Sequence, residues 1–412
     1  MKRLFQGAVL ALFVFSVTLV MVSGDAEAIP TFARKYNVEC SMCHTIVPKL
    51  NRTGYEFRLA GYRMPDQIGE DASSNFKLGN FFSARIQAGY KYTNHNDHAK
   101  NSDWNNSDLY FKEFTMYPLS GSWGKNFGSL AEISMAPGDS PELENAYVRY
   151  VNGNKDAWWQ ARAGLMHAWE GFGASDRPLG LSRPMFQTNS GAGAFTPWTD
   201  EMAAEVGYNM ATTGTSVALR MSNGITQDGG PAQSIQTAGG DTFKKDSSIT
   251  GHNDKSYSLV VNQFINDDSA MTLYYYRGNV PYTATNKDTF TRFAAYANFW
   301  ALPDQLNLLA GYGWGKDDLA DSSAVDLGKS KGYFVETDYH VSPTFALAAR
   351  FDKWDPSNKN SDDKVSAITL SGNVFTMEGL QLISEYQHKK SDVTGGGNDK
   401  DDSINLRMIY IW

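Results

Sequence analysis

The last ten residues of the chain, 403–412, read SINLRMIYIW and set the pattern for most of the sequence. Successive side chains of a β-strand point to opposite faces, so an apolar residue at every second position predicts a strand with one apolar face. Here that face consists of Ile404, Leu406, Met408, Tyr410 and Trp412. The sequence therefore ends in an alternating strand that is closed by an aromatic residue.

The same alternation recurs in about sixteen segments of roughly ten residues each. In residues 82–91, 306–314 and 345–352, for example, apolar side chains occupy one face and mostly small, polar or charged side chains occupy the other. The predicted strands cover residues 78–92, 107–118, 126–136, 143–152, 156–167, 200–210, 214–223, 255–266, 269–279, 290–301, 304–315, 331–341, 343–354, 364–375, 378–389 and 403–412.

The connections between these strands alternate in length. Short turns lie near residues 152–155, 266–268, 303–304 and 342–343, and longer polar loops near 93–106, 168–199, 224–254, 280–289, 316–330, 355–363 and 390–402. Short turns on one side and long loops on the other are typical of outer-membrane β-barrels, and the terminal strand resembles the recognition strand of such barrels. A secreted β-sandwich is the alternative, but its faces would not alternate in this way over sixteen strands.

The predicted fold is all-β, a transmembrane barrel of about sixteen strands with a small N-terminal α-helical segment. A sheet in hydrocarbon must close so that no backbone group lacks a partner. A barrel of this size encloses an aqueous lumen unless something fills it. An even number of strands places both ends of the barrel on the periplasmic side.

Composition excludes several classes of protein. The 412 residues include 42% apolar and 20% charged residues, which is too apolar for a disordered chain. The net charge of −8, without any basic run, argues against a nucleic-acid partner. From residue 78 onward no apolar run is long enough for a spanning helix.

Residues 1–28 read as a signal peptide. Lys2 and Arg3 precede an apolar stretch, and Ala26, Glu27 and Ala28 form a small-x-small cleavage pattern. An uncleaved anchor is the alternative, because the apolar stretch is long for a signal peptide. Either interpretation predicts that the chain leaves the cytoplasm.

The two cysteines lie in the sequence Cys40-Ser41-Met42-Cys43-His44. This is the spacing of c-type haem attachment, in which two thiols bond to the porphyrin and the following histidine binds the iron. A thioredoxin-like CxxC motif is the alternative, but no βαβ pattern surrounds it. We therefore expect one covalent haem c on Cys40 and Cys43, with His44 as the proximal ligand.

The segment around this motif, residues 29–74, is predicted to be a small cytochrome unit, followed by the barrel at 75–412. Leu50, Gly54, Phe57 and Gly61 recur at helical spacing, which predicts a helix over 48–62 whose two glycines approach the porphyrin closely. Roughly 45 residues cannot bury enough surface to fold alone, so the unit needs the haem as its core or a larger body to dock on.

Two residues are candidates for the distal iron ligand. Met64 lies about twenty residues after His44, and an ordinary packing role is its alternative. His340 is predicted to point into the lumen near the periplasmic rim, where the small unit would have to dock. His95, His98 and His252 fall in predicted external loops, where solvated and metal-binding roles both remain open.

Charged side chains are predicted to line the lumen. The inward positions carry Arg85, Arg149, Arg162, Arg220, Arg277, Arg350, Arg407, Glu336, Asp338, Asp352 and Glu385. These residues either solvate a polar pore or, in part, hold the haem propionates or favour anions. The long loop 168–199 is predicted either to fold into the channel and narrow it or to form an external lid. Further acidic residues in the external loops either attract cations or bridge divalent ions to lipopolysaccharide. They are Asp317, Asp318, Asp321, Asp362, Asp363, Asp399, Asp401 and Asp402.

The N-terminal part of the sequence resembles the fused cytochrome–porins, an outer-membrane family that includes the iron oxidases of iron-oxidising bacteria. The resemblance rests on PTFAR at residues 30–34, the haem motif at 40–44, and PKLN at 48–51 running on to Gly61 and Tyr62. It implies a mono-haem plug joined to a sixteen-stranded barrel that passes electrons across the outer membrane. For the iron oxidases, the implied donor is extracellular Fe(II).

This resemblance leads to an expected function. Electrons pass between an extracellular donor or acceptor, such as Fe(II) or another metal, and a periplasmic cytochrome c, with outer-membrane lipid around the barrel. An Fe(II):cytochrome c oxidoreductase activity is one form of this role. The alternatives are a diffusion porin with a haem-bearing gate or redox-sensing plug, and a scaffold barrel around a separate multi-haem cytochrome.

Overall fold

Alternating apolar and polar residues form strands along most of the chain. The computed structural model describes residues 31–72, 77–97, 102–167, 178–188, 200–222, 235–236, 242–243, 255–281, 287–319, 329–358, 364–377, 379–392 and 397–412. The predicted signal peptide lies outside these residues. Among the described residues, no helix is long and apolar enough to cross a membrane.

The N-terminal segment contains two short helices and a small hairpin. These are α1 (Thr31–Tyr36), β1 (His44–Ile46), β2 (Lys49–Leu50) and α2 (Arg52–Leu59), with single 3-10 turns at Cys40–Met42, Pro65–Gln67 and Leu78–Asn80. Helix α2 is shorter than the helix predicted over 48–62. It begins where the side chain of Asn51 accepts a hydrogen bond from Gly54 N at 3.0 Å, and it ends before Gly61, whose φ is +74°.

The remaining strands form the barrel wall. They are β3 (Phe82–Asp97), β4 (Ser102–Pro118), β5 (Gly121–Trp123), β6 (Phe127–Met135), β7 (Glu142–Gly153), β8 (Ala157–His167), β9 (Asp200–Met210), β10 (Thr215–Ser222), β13 (Ser256–Phe264), β14 (Ala270–Pro281), β15 (Lys287–Leu302), β16 (Leu306–Leu319), β17 (Lys329–Ser342), β18 (Phe345–Asp355), β19 (Val365–Met377), β20 (Leu380–Asp392) and β21 (Asn398–Ile411). A separate two-stranded ladder joins β11 (Ile235–Gln236) to β12 (Thr242–Phe243), and helix α3 (Met185–Thr188) follows β8.

These strands close into an antiparallel barrel in which neighbours in sequence are neighbours in the sheet. The last strand, β21, pairs with β3, and Trp412 exchanges two 3.0 Å backbone hydrogen bonds with Ala84. Short β5 continues β4 along the same edge of β6, so the described chain contains sixteen wall strands. The predicted fold class and strand number are confirmed, and both ends of the barrel lie at one rim.

Several strands extend beyond the predicted bounds at the opposite rim. The hairpin of β3 and β4, for example, continues through the pairs Asn94↔Asn105 and His95↔Trp104. The sequence prediction ended these strands where the apolar alternation stops, but hydrogen bonding between strands continues above the apolar band. We call this end the long-loop rim, and the end with turns 211–214, 265–269, 303–305 and 343–344 the short-turn rim.

The two faces of the wall differ as the alternation predicts. Outward side chains such as Val206, Leu219 and Tyr257 are more than half exposed, although they are apolar. Inward side chains include buried Arg149, Glu336 and many other polar groups. An apolar outer band around a polar interior is what a barrel embedded in hydrocarbon presents.

The N-terminal segment, residues 31–72, lies inside the barrel at the short-turn rim, and we call it the plug. Arg52 N donates to Asp267 O at 2.8 Å, Arg52 Nη2 donates to Ala211 O, and Arg34 Nη2 donates to Phe82 O at 3.0 Å. Asp267 and Ala211 belong to turns of this rim. The plug is therefore fastened where the barrel strands begin and end.

Candidate functional site

The two cysteines lie on one 3-10 turn. Cys43 N donates to Cys40 O at 3.1 Å, and this hydrogen bond closes the turn, so the two residues lie one turn apart. Both thiols are free and half-buried. Burial, and then the neighbouring Cys40, raises the pKa of the Cys43 thiol to about 11. Burial, and then Glu39, also raises the pKa of Cys40, so both thiols are protonated at neutral pH.

His44 follows the turn on β1, and its ring is held by the backbone. Its Nδ1 lies 3.2 Å from the carbonyl oxygen of Lys49 on β2. A ring that donates from Nδ1 carries its lone pair on Nε2, the atom that binds a metal. Such a backbone partner fixes both the tautomer and the ring orientation of a metal-binding histidine.

Gly54 of α2 is required by the backbone of the haem motif. A Cβ at this position would lie 2.2 Å from the carbonyl oxygen of Cys43, so only glycine allows α2 to approach the motif. Gly61, predicted to face the porphyrin, instead lies against the barrel. A Cβ on Gly128 of β6 would lie 2.3 Å from the Gly61 carbonyl oxygen.

Four buried acidic residues line one side of the barrel interior, and we call them the acidic wall: Glu336, Asp338, Asp352 and Glu385. The ammonium group of Lys49 pairs with Asp338 and lies 3.7 Å from Glu336, and all three side chains are at most 3% exposed. The carbonyl oxygen of Val47 accepts 3.0 Å hydrogen bonds from Asn373 and from Gln381. The hairpin that follows His44 is thus fixed to β17, β19 and β20.

The other side of the plug is bound to β7, β8 and β10. Tyr55 and Ser216 share a hydrogen bond of 3.0 Å, and Tyr62 bonds to the hydroxyl of Tyr147. Trp158 Nε1 donates to Leu59 O at 3.4 Å. Contacts on opposite walls hold the plug across the lumen, which satisfies the requirement that so small a unit docks on a larger body.

The residues of the plug fit a c-type haem. Two thiols lie one turn apart, a histidine follows directly, and a backbone carbonyl holds its Nδ1. Such a donor set could hold a haem through two thioether bonds and one imidazole nitrogen. Cys40, Cys43 and His44 are therefore brought together as the spacing predicts.

The two candidates for the distal ligand lie in different surroundings. Met64 packs with Phe57, Tyr62, Tyr147 and Met166, beside β7 and β8. His340 lies on the inner face of β17 near the short-turn rim, as predicted, and is 6% exposed. His340 is two residues from Asp338, the partner of Lys49.

Residues 178–188 of the long loop lie inside the lumen, and we call them the constriction segment. Glu385 accepts hydrogen bonds from Leu181 N at 2.7 Å and Ser182 N at 2.9 Å. Glu336 accepts from Leu179 N at 2.8 Å, and Asp352 accepts from Met185 N at 3.1 Å. The interpretation as a channel-narrowing loop is thus confirmed for these residues, and the rest of 168–199 lies outside the described chain.

The acidic wall therefore has a role that the sequence did not predict. Its carboxylates bind backbone N–H groups of the constriction segment and the ammonium group of Lys49, instead of solvating a pore. The strand pattern could have indicated a cluster of inward carboxylates. Glu336 and Asp338 are two residues apart on one strand, so they share a face, and Asp352 lies on the next strand.

Three buried arginines, Arg149, Arg162 and Arg220, form a basic wall on β7, β8 and β10. Glu205 of β9 accepts both 2.7 Å hydrogen bonds from Arg162 and one of 3.0 Å from Arg220. Arg149 donates to Arg58 O of the plug. These contacts brace the wall and the plug.

One predicted inward residue is on the other face. On β14 the buried inward residues are Thr272, Tyr274 and Tyr276, so Arg277 lies on the exposed outer face. The prediction for Arg277 was wrong, because the alternation in this strand is set by the even-numbered positions.

The predicted external histidines are described only in part. His95 belongs to β3 instead of a loop, and its Nδ1 bonds to Asp401 of β21. His98 and His252 lie outside the described residues, as do Asp321, Asp362 and Asp363 of the acidic loops.

Solved structures with a similar fold are bacterial porins and channels. The outer membrane channel DcaP of Acinetobacter baumannii is 15% identical, with 80% of this chain and 96% of that chain covered and a TM-score of 0.56. The anion-selective porin from Comamonas acidovorans is 11% identical, with 80% and 99% covered and a TM-score of 0.55. OprB of Pseudomonas putida is 10% identical, with 80% and 94% covered and a TM-score of 0.51.

At such low identities the likeness concerns the fold alone, a porin-like barrel. No protein-family model matches the chain, and no curated protein matches it.

Proposed function

We propose that this chain is an outer-membrane electron-transfer protein with one haem c on its plug. The observation that supports this most strongly is that Cys40, Cys43 and His44 belong to a segment fastened across the lumen of a membrane-type barrel. The apolar outer face and the porin-like fold support an outer-membrane location.

The residues of the plug have separate tasks in this proposal. Cys40 and Cys43 provide the thioether bonds, His44 binds the iron, and the Lys49 carbonyl holds the imidazole in its binding tautomer. When bound, the haem supplies a one-electron couple between ferric and ferrous iron. The contacts on both walls keep the plug in place and restrict the passage of water and solutes.

The position of the plug explains why a barrel is needed. A haem is smaller than the hydrocarbon core of about 30 Å, so on the membrane surface it could not serve partners on both sides. A haem held by the plug inside the lumen would lie between the two rims. A periplasmic cytochrome c is the proposed partner at the short-turn rim.

The proposed overall transfer is balanced by two one-electron changes. An extracellular Fe(II) ion, or another reduced metal, loses one electron and becomes Fe(III). A ferric periplasmic cytochrome c gains that electron and becomes ferrous, and the reverse flow uses the same groups. With Fe(II) as donor, the activity is that of an Fe(II):cytochrome c oxidoreductase.

Stopped-flow spectroscopy of the purified holoprotein tests this function. Mixing with Fe(II), or another metal reductant, is expected to give the ferrous haem spectrum, and later addition of a ferric periplasmic cytochrome c should reverse it. A haem that no external donor reduces would contradict the proposal.

A second candidate function is that of a diffusion porin whose plug is a haem-bearing gate or redox sensor. The porin-like fold favours it, because the similar solved structures include an outer membrane channel and an anion-selective porin. Solute conductance of the holoprotein in planar bilayers that changes with haem redox state would support the gate over the conduit.

A further inference from the structure

His340 has a buried ring nitrogen that is unpaired in the described part of the chain. The side chain is 6% exposed, and its Nε2 has no hydrogen-bond partner among the described residues. Buried polar atoms in native interiors almost always have a partner, so an unpaired imidazole nitrogen is available to a ligand. The ring packs edge-to-face on Trp300, with centroids 4.8 Å apart, which fixes its orientation.

The hairpin that carries His44 contacts the part of β17 and β18 where His340 lies. Lys49, whose carbonyl holds the His44 ring, pairs with Asp338, two residues before His340 on the same face. Ala346, the cross-strand partner of His340, packs against Ile46, two residues after His44.

Met64, the other candidate, packs in a different cluster of the described residues. It packs against the cluster of Phe57, Tyr62, Tyr147 and Met166, and the last two of these belong to β7 and β8. The hairpin of His44 is fixed to β17, β19 and β20. The contacts therefore favour the imidazole over the thioether.

We infer that His340 is the second axial ligand of the haem iron, so that the barrel wall itself completes the site begun by the plug. This inference rests on the proposed haem attachment. A ligand from the wall would join two parts of the chain that are almost 300 residues apart and would lock the plug in the lumen.

Spectroscopy of the detergent-purified holoprotein separates the two ligand types. In the wild type we expect a low-spin ferric spectrum without the far-red thioether-to-iron band. His340→Ala and His340→Asn should lose the low-spin spectrum, and added imidazole should restore it. His340→Met should gain the thioether band and a higher reduction potential, because a thioether ligand favours the ferrous state.

Comparing His340→Asn with His340→Met distinguishes iron ligation from a merely structural role of His340. The Asn side chain can form hydrogen bonds but is not expected to bind the iron, whereas the Met thioether can bind it. The matched control is His388→Ala, which removes a histidine that bonds to Asp402 near the long-loop rim and should keep the wild-type spectrum.

The inference would be overturned if His340→Ala and His340→Asn kept the low-spin spectrum, or if Met64→Leu lost it instead. If the Ala variant does not fold, the Asn and Met variants decide. A wild type without a Soret band would overturn the proposed function, and this inference with it.

Discussion

Lys49 contacts the plug through its backbone and the barrel wall through its side chain. Its backbone carbonyl holds the ring of His44, and its ammonium group is buried against Asp338 and Glu336. A buried charge is tolerated only when it is paired, so this residue couples the orientation of the candidate iron ligand to the barrel wall. The haem motif was readable from local spacing, but the partner of Lys49 was not, because it lies 289 residues further along the chain.

The first prediction concerns this ion pair. Lys49→Met should destabilise the docked plug by about 3–5 kcal/mol, because the buried carboxylate of Asp338 loses its counter-charge. Limited proteolysis of the folded barrel should then cut the plug faster than in the wild type. The control is Lys331→Met, which replaces an exposed lysine on the outer face of β17, the strand that carries Asp338. The double variant Lys49→Met/Asp338→Asn should recover part of the loss, and equal cutting rates in all variants would contradict the assignment.

The second prediction concerns the close approach of two glycines. Gly128→Ala should displace the plug, because the new Cβ would lie 2.3 Å from the Gly61 carbonyl oxygen. Overpacking of this kind typically costs about 1–3 kcal/mol. Tryptophan fluorescence, to which Trp158 beside the plug contributes, should show that the plug unfolds at a lower temperature. Gly79→Ala, whose Cβ would meet no atom within 4 Å, should leave the temperature unchanged. A lower unfolding temperature in Gly79→Ala than in Gly128→Ala would show that Gly61 does not contact the wall.

At the level of elements, strands were predicted better than the short helix. Alternation of side chains located all sixteen wall strands, because each must present one face to lipid and one to the interior. Helical spacing over 48–62 overestimated α2, since residues 49–50 pair with β1 and Asn51 caps the helix. Capping and hairpin pairing are local choices that periodicity alone does not resolve.

The third prediction concerns the constriction segment. Glu385→Gln should loosen residues 178–188, because a carboxylate that accepts two backbone hydrogen bonds is replaced by a neutral amide. Hydrogen bonds to charged groups contribute roughly 1.5–3 kcal/mol each. Hydrogen exchange measured by mass spectrometry should therefore become faster in this segment. Glu142→Gln, at an exposed position, should have no such effect. Unaltered exchange in Glu385→Gln would mean that this carboxylate does not hold the segment.

For the whole molecule, the barrel and the plug form one mechanical unit. The plug contacts β7, β8 and β10 on one side and β17, β19 and β20 on the other. The sequence predicted that the small unit needs a larger body to dock on, and the acidic and basic walls provide it. The pairing of walls with plug depends on which strands face each other across the lumen, which a linear pattern does not contain.

The fourth prediction concerns solute flow. A lumen that holds both the plug and the constriction segment should conduct ions poorly in planar bilayers. Lys49→Met should raise the conductance, because the plug then loses an anchor on one wall. Lys331→Met should match the wild type. High conductance of the wild type, unaffected by Lys49→Met, would contradict a plugged lumen and favour the diffusion porin.

The most direct test of the central claim is the intact mass of the mature protein, made in cells with active cytochrome c maturation. We predict a mass greater than that of the polypeptide by one haem, together with a Soret band that survives denaturation. Both should be lost in Cys40→Ala/Cys43→Ala, while the barrel still folds in detergent. A wild-type mass equal to that of the bare polypeptide would contradict the account.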